Sequence, residues 1–98
     1  MSVAQTILQQ LGGRRFIAMT GSKNMTAHKD GLSFRLPSNF ARGGINYVKI
    51  TLTPADLYHL EFCKVRKLEY RVIETEDGVY AEDLQRMFTH ATGLDTHL

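Results

Sequence analysis

The sequence predicts an α+β domain: an antiparallel sheet of about five strands flanked by a short N-terminal helix and a longer C-terminal helix, in the order α-β-β-β-β-β-α. Three observations carry this. Apolar residues fall at helical spacing at both ends of the chain, the period changes to two between Phe16 and Thr75, and glycine-containing turn signals separate the alternating runs.

Val3, Ile7, Leu8 and Leu11 form one stripe of an N-terminal helix, with Ser2 placed to cap its start and Gly12–Gly13 placed to end it. At about three turns this helix is too short to hold alone in water, so it must dock. Phe16–Thr20 reads as a short first strand. Leu32, Phe34 and Leu36 alternate with Ser33 and Arg35, and Val48, Ile50 and Leu52 alternate with Tyr47, Lys49 and Thr51. Tyr58–Arg66 and Glu69–Thr75 are two further strands. Asp30–Gly31 precedes one strand, and Gly43–Gly44 lies in a loop before the next.

Thr53-Pro54-Ala55-Asp56 fits two descriptions, a helix start or a tight turn. The alternation of Tyr58, Leu60 and Phe62 favours the turn. In that strand the parity slips between Phe62 and Val65, which predicts a bulge near Cys63–Lys64. The last helix shows Tyr80, Leu84, Met87, Phe88 and Ala91 on one face, Glu82 and Asp83 in its first turn, and Gly93–Leu94 as a glycine cap with an apolar contact. Both helices are amphipathic, so one sheet face is expected to be covered and the other wet.

The 98 residues make one domain, 1–98, long enough to form one core without staples. The single Cys63 excludes an intrachain disulfide and fits a reducing compartment. No apolar run approaches the ~20 residues that span a bilayer. The N-terminal segment lacks the basic start and cleavage site of a signal peptide, so a soluble cytoplasmic protein is expected.

The charge is split along the chain. Residues 13–71 carry eleven Lys and Arg against four acids, whereas residues 72–98 carry six acids against Arg86 alone. The formal net charge of +2 hides a dipolar molecule, able to attract polyanions with one region and repel them with another.

The segments LGGRRFIAMTGSKNM, LSFRLP, GINYVKITLTPADLYHLEF and GVYAEDLQRMFTHATGL together resemble a family of small proteins encoded by tailed phages and prophages. The resemblance spans nearly the whole chain. It implies a phage or bacterial host and a cytoplasmic setting, and it carries no activity or functional residue to this chain.

Candidate chemistry is sparse. His28, His59, His90 and His97 form none of the HxH, HxxxH or HExxH spacings, and there is no second cysteine for a zinc site. Although Cys63 lies beside Lys64, it lacks the histidine partner of a cysteine nucleophile. The loops Thr20-Gly21-Ser22-Lys23-Asn24 and Arg42-Gly43-Gly44 lack the phosphate-loop spacing. The acids Glu74, Glu76 and Asp77 read as a solvated rim, with Glu74 and Glu76 on one side of a strand and Asp77–Gly78 as the turn that ends it. No enzyme activity, catalytic residue, metal or cofactor is expected.

The basic residues are better organised. Arg35 and Lys49 leave the sheet opposite Phe34 and Ile50, Tyr47 shares their face, and Lys64 and Arg66 extend the charge if the bulge turns them outward. Arg14, Arg15 and Lys23 are placed to add contacts, with Phe40 or Tyr58 as further aromatic candidates. Cations that track phosphates and aromatics that stack on bases are how small β-modules hold single strands. A nucleic-acid-binding module, favouring single strands, is therefore the first expected function. The second is a modulator or inhibitor of a host or phage protein, anti-defence roles included. No membrane partner is expected, and the two free edges of an open sheet allow a homodimer.

Overall fold

The computed structural model of the protein describes residues 2–37 and 41–94. Ser2 opens the first helix, α1 (Val3–Leu11), with a capping box: its hydroxyl accepts from the Gln5 amide at 3.2 Å while the Gln5 side chain accepts from the Ser2 amide at 3.3 Å. Gly12 ends α1, its amide bonding back to Leu8 and Gln9.

The chain then departs from the sequence-based expectation. Residues Arg14–Thr20 form a second helix, α2, rather than a strand. Phe16 and Thr20 lie one turn apart and are both buried, the Thr20 hydroxyl donates to the Phe16 carbonyl at 2.8 Å, and Gly21 closes the helix in the left-handed region. Thr20–Asn24, which lacks the phosphate-loop spacing, is thus this helix end and its exit, with Ser22 buried against Thr20.

Five strands follow: β1 (Lys23–His28), β2 (Gly31–Arg35), β3 (Tyr47–Leu52), β4 (Tyr58–Arg66) and β5 (Glu69–Val79). They pair as an antiparallel meander in the order β1-β2-β3-β4-β5, which makes β1 and β5 the edges. The first strand is therefore Lys23–His28. Gly31 starts β2 where the β3 backbone comes so close that a Cβ would overlap the Ile50 carbonyl oxygen, so only glycine fits. Thr53–Leu57 is a turn: the Asp56 amide donates to the Thr53 carbonyl at 3.0 Å, and the Thr53 amide donates to the Leu57 carbonyl at 2.8 Å. Asn46 lengthens the β3–β4 ladder with its side chain, which donates to the Val65 carbonyl at 2.8 Å and accepts from the Val65 amide at 2.7 Å.

The irregularities differ from the expected bulge at Cys63–Lys64. Phe62 pairs with Glu74 and Cys63 with Val72, so the additional residue is Ile73 of β5. A second irregularity, between the pairs Tyr58–Val79 and Leu60–Glu76, falls at Asp77–Gly78. That dipeptide lies inside β5 and does not end it. On β4 the alternation runs unbroken, and the apparent slip in parity arises because Cys63 and Val65 are apolar residues of the other face.

After β5, Ala81–Asp83 make a single 3-10 turn and Leu84–Thr92 form the last helix, α3, with Gly93 as its left-handed C-cap. Tyr80 precedes both and is exposed, so it is not part of the buried stripe. A second 3-10 turn, Arg42–Gly44, packs against α3, and the Arg42 guanidinium donates to the His90 carbonyl at 3.2 Å. Arg42 thus completes a helix end.

All three helices lie on one face of the sheet. There α1 packs on β1 and β2, α3 packs on β4 and β5, and the two helices touch each other. The core between the layers contains Phe16, Phe34, Phe62 and Phe88, all fully buried, with ring centroids 5.1–6.5 Å apart where they meet. Among the described residues, no helix is long and apolar enough to cross a membrane.

Candidate nucleic-acid interface

The sheet face opposite the helices is built by the alternate residues of each strand, and the register shows which side chains meet there. One row crosses all five strands: Lys23, Arg35, Tyr47, Cys63 and Val72. The next row holds Thr26, Ser33, Lys49, Glu61 and Thr75. A third holds His28, Gly31, Thr51 and His59, with Asp77 of β5 beside His59. Directly opposed side chains lie about 5 Å apart and diagonal ones about 7–8 Å, so Arg35, Tyr47 and Lys49 are neighbours.

The face therefore unites four of the expected residues, Lys23, Arg35, Tyr47 and Lys49, and adds one. Lys23, expected in a loop, pairs with Arg35 as part of β1. Tyr70, which sequence reasoning missed, pairs with Val65 and so belongs to this face, 55% exposed. Its ring meets Tyr47 edge-on, with centroids 6.1 Å apart at 67°. The buried Cys63 thiol donates to the Tyr70 hydroxyl at 3.2 Å. Burial pushes the Cys63 thiol above its ordinary pKa, so it is held as a neutral donor. Its shared hydrogen bond with Cys63, together with burial, pushes the Tyr70 hydroxyl up as well.

Other expected members lie elsewhere. Lys64 and Arg66 point to the helix side of the sheet because β4 keeps its alternation. Lys64 lies along Gly44 of the 3-10 turn, and Arg66 sits exposed at the tip of the β4–β5 hairpin, paired with Glu69. Arg14 and Arg15 are exposed on α2, within the helix layer. Tyr58 is buried, its hydroxyl donating to Gln10 at 2.7 Å. Phe40 and His97 fall outside the described residues.

Charge on this face is sorted by strand. The cations Lys23, Arg35 and Lys49 stand on β1–β3, whereas Glu61 and Asp77 stand on β4 and β5. His59 lies between the acids, 3.3 Å from Asp77 and 3.9 Å from Glu61. His28 bonds Ser33 at 2.7 Å. Glu74 and Glu76 pair with Phe62 and Leu60 and so share the helix side, apart from Asp77. Among the described residues, neither Arg35 nor Lys49 makes an ion pair, and no group of three metal-ligating side chains occurs. Such a surface can hold an anion along one half and an apolar or aromatic group at the Tyr47–Tyr70 corner. Comparison with protein-family models, curated proteins and solved structures returns no match to this chain.

Proposed function

We propose that the protein is a small, non-catalytic nucleic-acid-binding module that works through the helix-free face of its sheet. The observation that carries this reading is the union of Lys23, Arg35 and Lys49 with Tyr47 and Tyr70 on one uncovered surface. Cations at neighbouring strand positions suit a phosphate backbone, and an exposed Tyr70 beside a partly accessible Tyr47 suits bases. The phage-type resemblance of the sequence gives this module a setting in a bacterial cytoplasm, as part of phage nucleic-acid metabolism.

Fluorescence anisotropy of labelled oligonucleotides across a salt series tests the reading. Three phosphate contacts give a slope of log affinity against log salt of about −2, at about −0.7 per contact on a single strand. Replacing Arg35 and Lys49 by Glu then abolishes binding while the fold persists. A salt-independent affinity, or one untouched by the double replacement, contradicts it.

A protein-binding role is the second reading, favoured by the β4–β5 hairpin. Leu68 at its tip is fully exposed, and Tyr70, Val72 and Ile73 remain 39–55% exposed along β5. An apolar edge strand of this kind suits docking on a host or phage protein, in the manner of an inhibitor or anti-defence modulator. The bulge at Ile73 and the acids beyond it limit strand pairing to the first half of β5. On this reading Leu68→Ser abolishes capture of the protein partner and spares oligonucleotide affinity.

A further inference from the structure

We infer that the open face takes nucleic acid as a single strand, with phosphates over β1–β3 and two bases on Tyr47 and Tyr70. This inference rests on the proposed function and specifies its mode. A backbone laid over β4 and β5 would meet Glu61 and Asp77, whereas Lys23, Arg35 and Lys49 line the other half. The row that crosses the sheet grades from cation to apolar: Lys23, Arg35, Tyr47, Cys63, Val72. A strand oriented by that gradient turns its phosphates toward the cations of β1–β3 and its bases toward Tyr47 and Tyr70.

The aromatic corner is set before any ligand arrives. Tyr70 is fixed by the bond from Cys63 and by its edge contact with Tyr47, so little side-chain freedom remains to be lost on binding. Rings inclined at 67° cannot share one base, so each offers its own stacking surface. The footprint is therefore two splayed bases. A duplex keeps its bases stacked inside and leaves only its phosphates to the cations, which excludes the tyrosines from the contact.

The chain has no tryptophan, and Tyr47 and Tyr70 are two of its four tyrosines, so quenching of the tyrosine fluorescence that is lost in Tyr70→Phe reports the site. Three probes are compared at low salt: a single-stranded oligothymidylate, an abasic strand of equal length, and a duplex of equal length. The expected result is quenching by oligothymidylate alone and tighter binding of that strand than of the abasic one. The preference is between about 5-fold and about 150-fold for each stacked base. Tyr70→Ala reduces oligothymidylate affinity toward the abasic level, Tyr70→Leu does the same with apolar bulk retained, and Tyr70→Phe keeps the affinity.

Equal affinity for the abasic and base-bearing strands overturns the inference while leaving the charge-based reading intact, as does tighter binding of the duplex. Unchanged affinity and quenching in both Tyr70→Ala and Tyr70→Leu also overturn it. Absence of binding by all three probes removes the inference and the proposed function together.

Discussion

The two faces of the sheet are made by the same strands, yet they are built to different rules. On the covered face, Phe34, Val48, Ile50, Leu60 and Phe62 are fully buried and interlock with Phe16 and Phe88 from the helix layer. On the open face, Arg35, Tyr47, Lys49, His59 and Glu61 remain partly accessible, and most contacts join neighbouring strands. Side-chain alternation thus separates the buried side of the sheet from its accessible side by one residue step. A substitution on the first face is felt as folding free energy, and one on the second chiefly as a change of surface.

The largest test of this contrast is Phe88→Ala. Phe88 touches the rings of Phe16, Phe34 and Phe62, so its loss leaves a cavity where no neighbour can close in fully. Chemical denaturation is expected to show a loss of about 3–5 kcal/mol. A loss below about 1 kcal/mol would mean that the aromatic cluster does not hold the layers together.

An intermediate test concerns the corner where the open face is structural. Cys63 and Tyr70 both titrate above their ordinary values of 9.0 and 10.0, through burial for the thiol and through their shared bond for the phenol. The folded protein therefore holds these protons longer than the unfolded chain does. Their contribution is complete below pH 9.0 and is lost as pH rises through the folded-state values. Denaturation midpoints measured below and above pH 9.0 should fall with rising pH, and fall less in Cys63→Val. Equal pH dependence in the two proteins would remove Cys63 from this account.

The smallest expected effect belongs to the cations of the open face. Arg35→Ala and Lys49→Ala should each leave stability within about 0.5 kcal/mol, because neither makes an ion pair among the described residues. A larger loss in either would show that the open face also contributes to the fold.

How legible each feature was follows from how strongly burial marks it. The strands β2, β3 and β4 were readable because one side of each is buried, giving the alternation at Leu32–Leu36, Val48–Leu52 and Tyr58–Phe62. β1 was not, since only Met25 in it is even partly buried and an exposed edge strand leaves no period of two. Its place was given to Phe16–Thr20, where a seven-residue helix shows a single buried pair one turn apart, too little to declare a helical period.

Within the candidate site, Arg35, Tyr47 and Lys49 were legible from parity alone. Tyr70 was not, because the irregularity at Ile73 resets the parity of β5, and only the pairing with Val65 assigns its face. Lys64 and Arg66 were placed by supposing a bulge in β4 that belongs instead to β5. Arg42 reads from the sequence only as part of a generic connecting loop, because its partner, the His90 carbonyl, lies 48 residues along the chain.

The most direct measurement gives the two layers the same change of charge. Arg35→Glu with Lys49→Glu reverses two cations on the open face, and Arg14→Glu with Arg15→Glu reverses two on α2. Both double variants are titrated against one labelled single strand at one salt concentration. The account predicts that the open-face pair loses binding while the helix-layer pair loses only the modest share due to net charge. Equal losses in the two variants would contradict it, because affinity would then follow total charge and no face of the sheet would be the site.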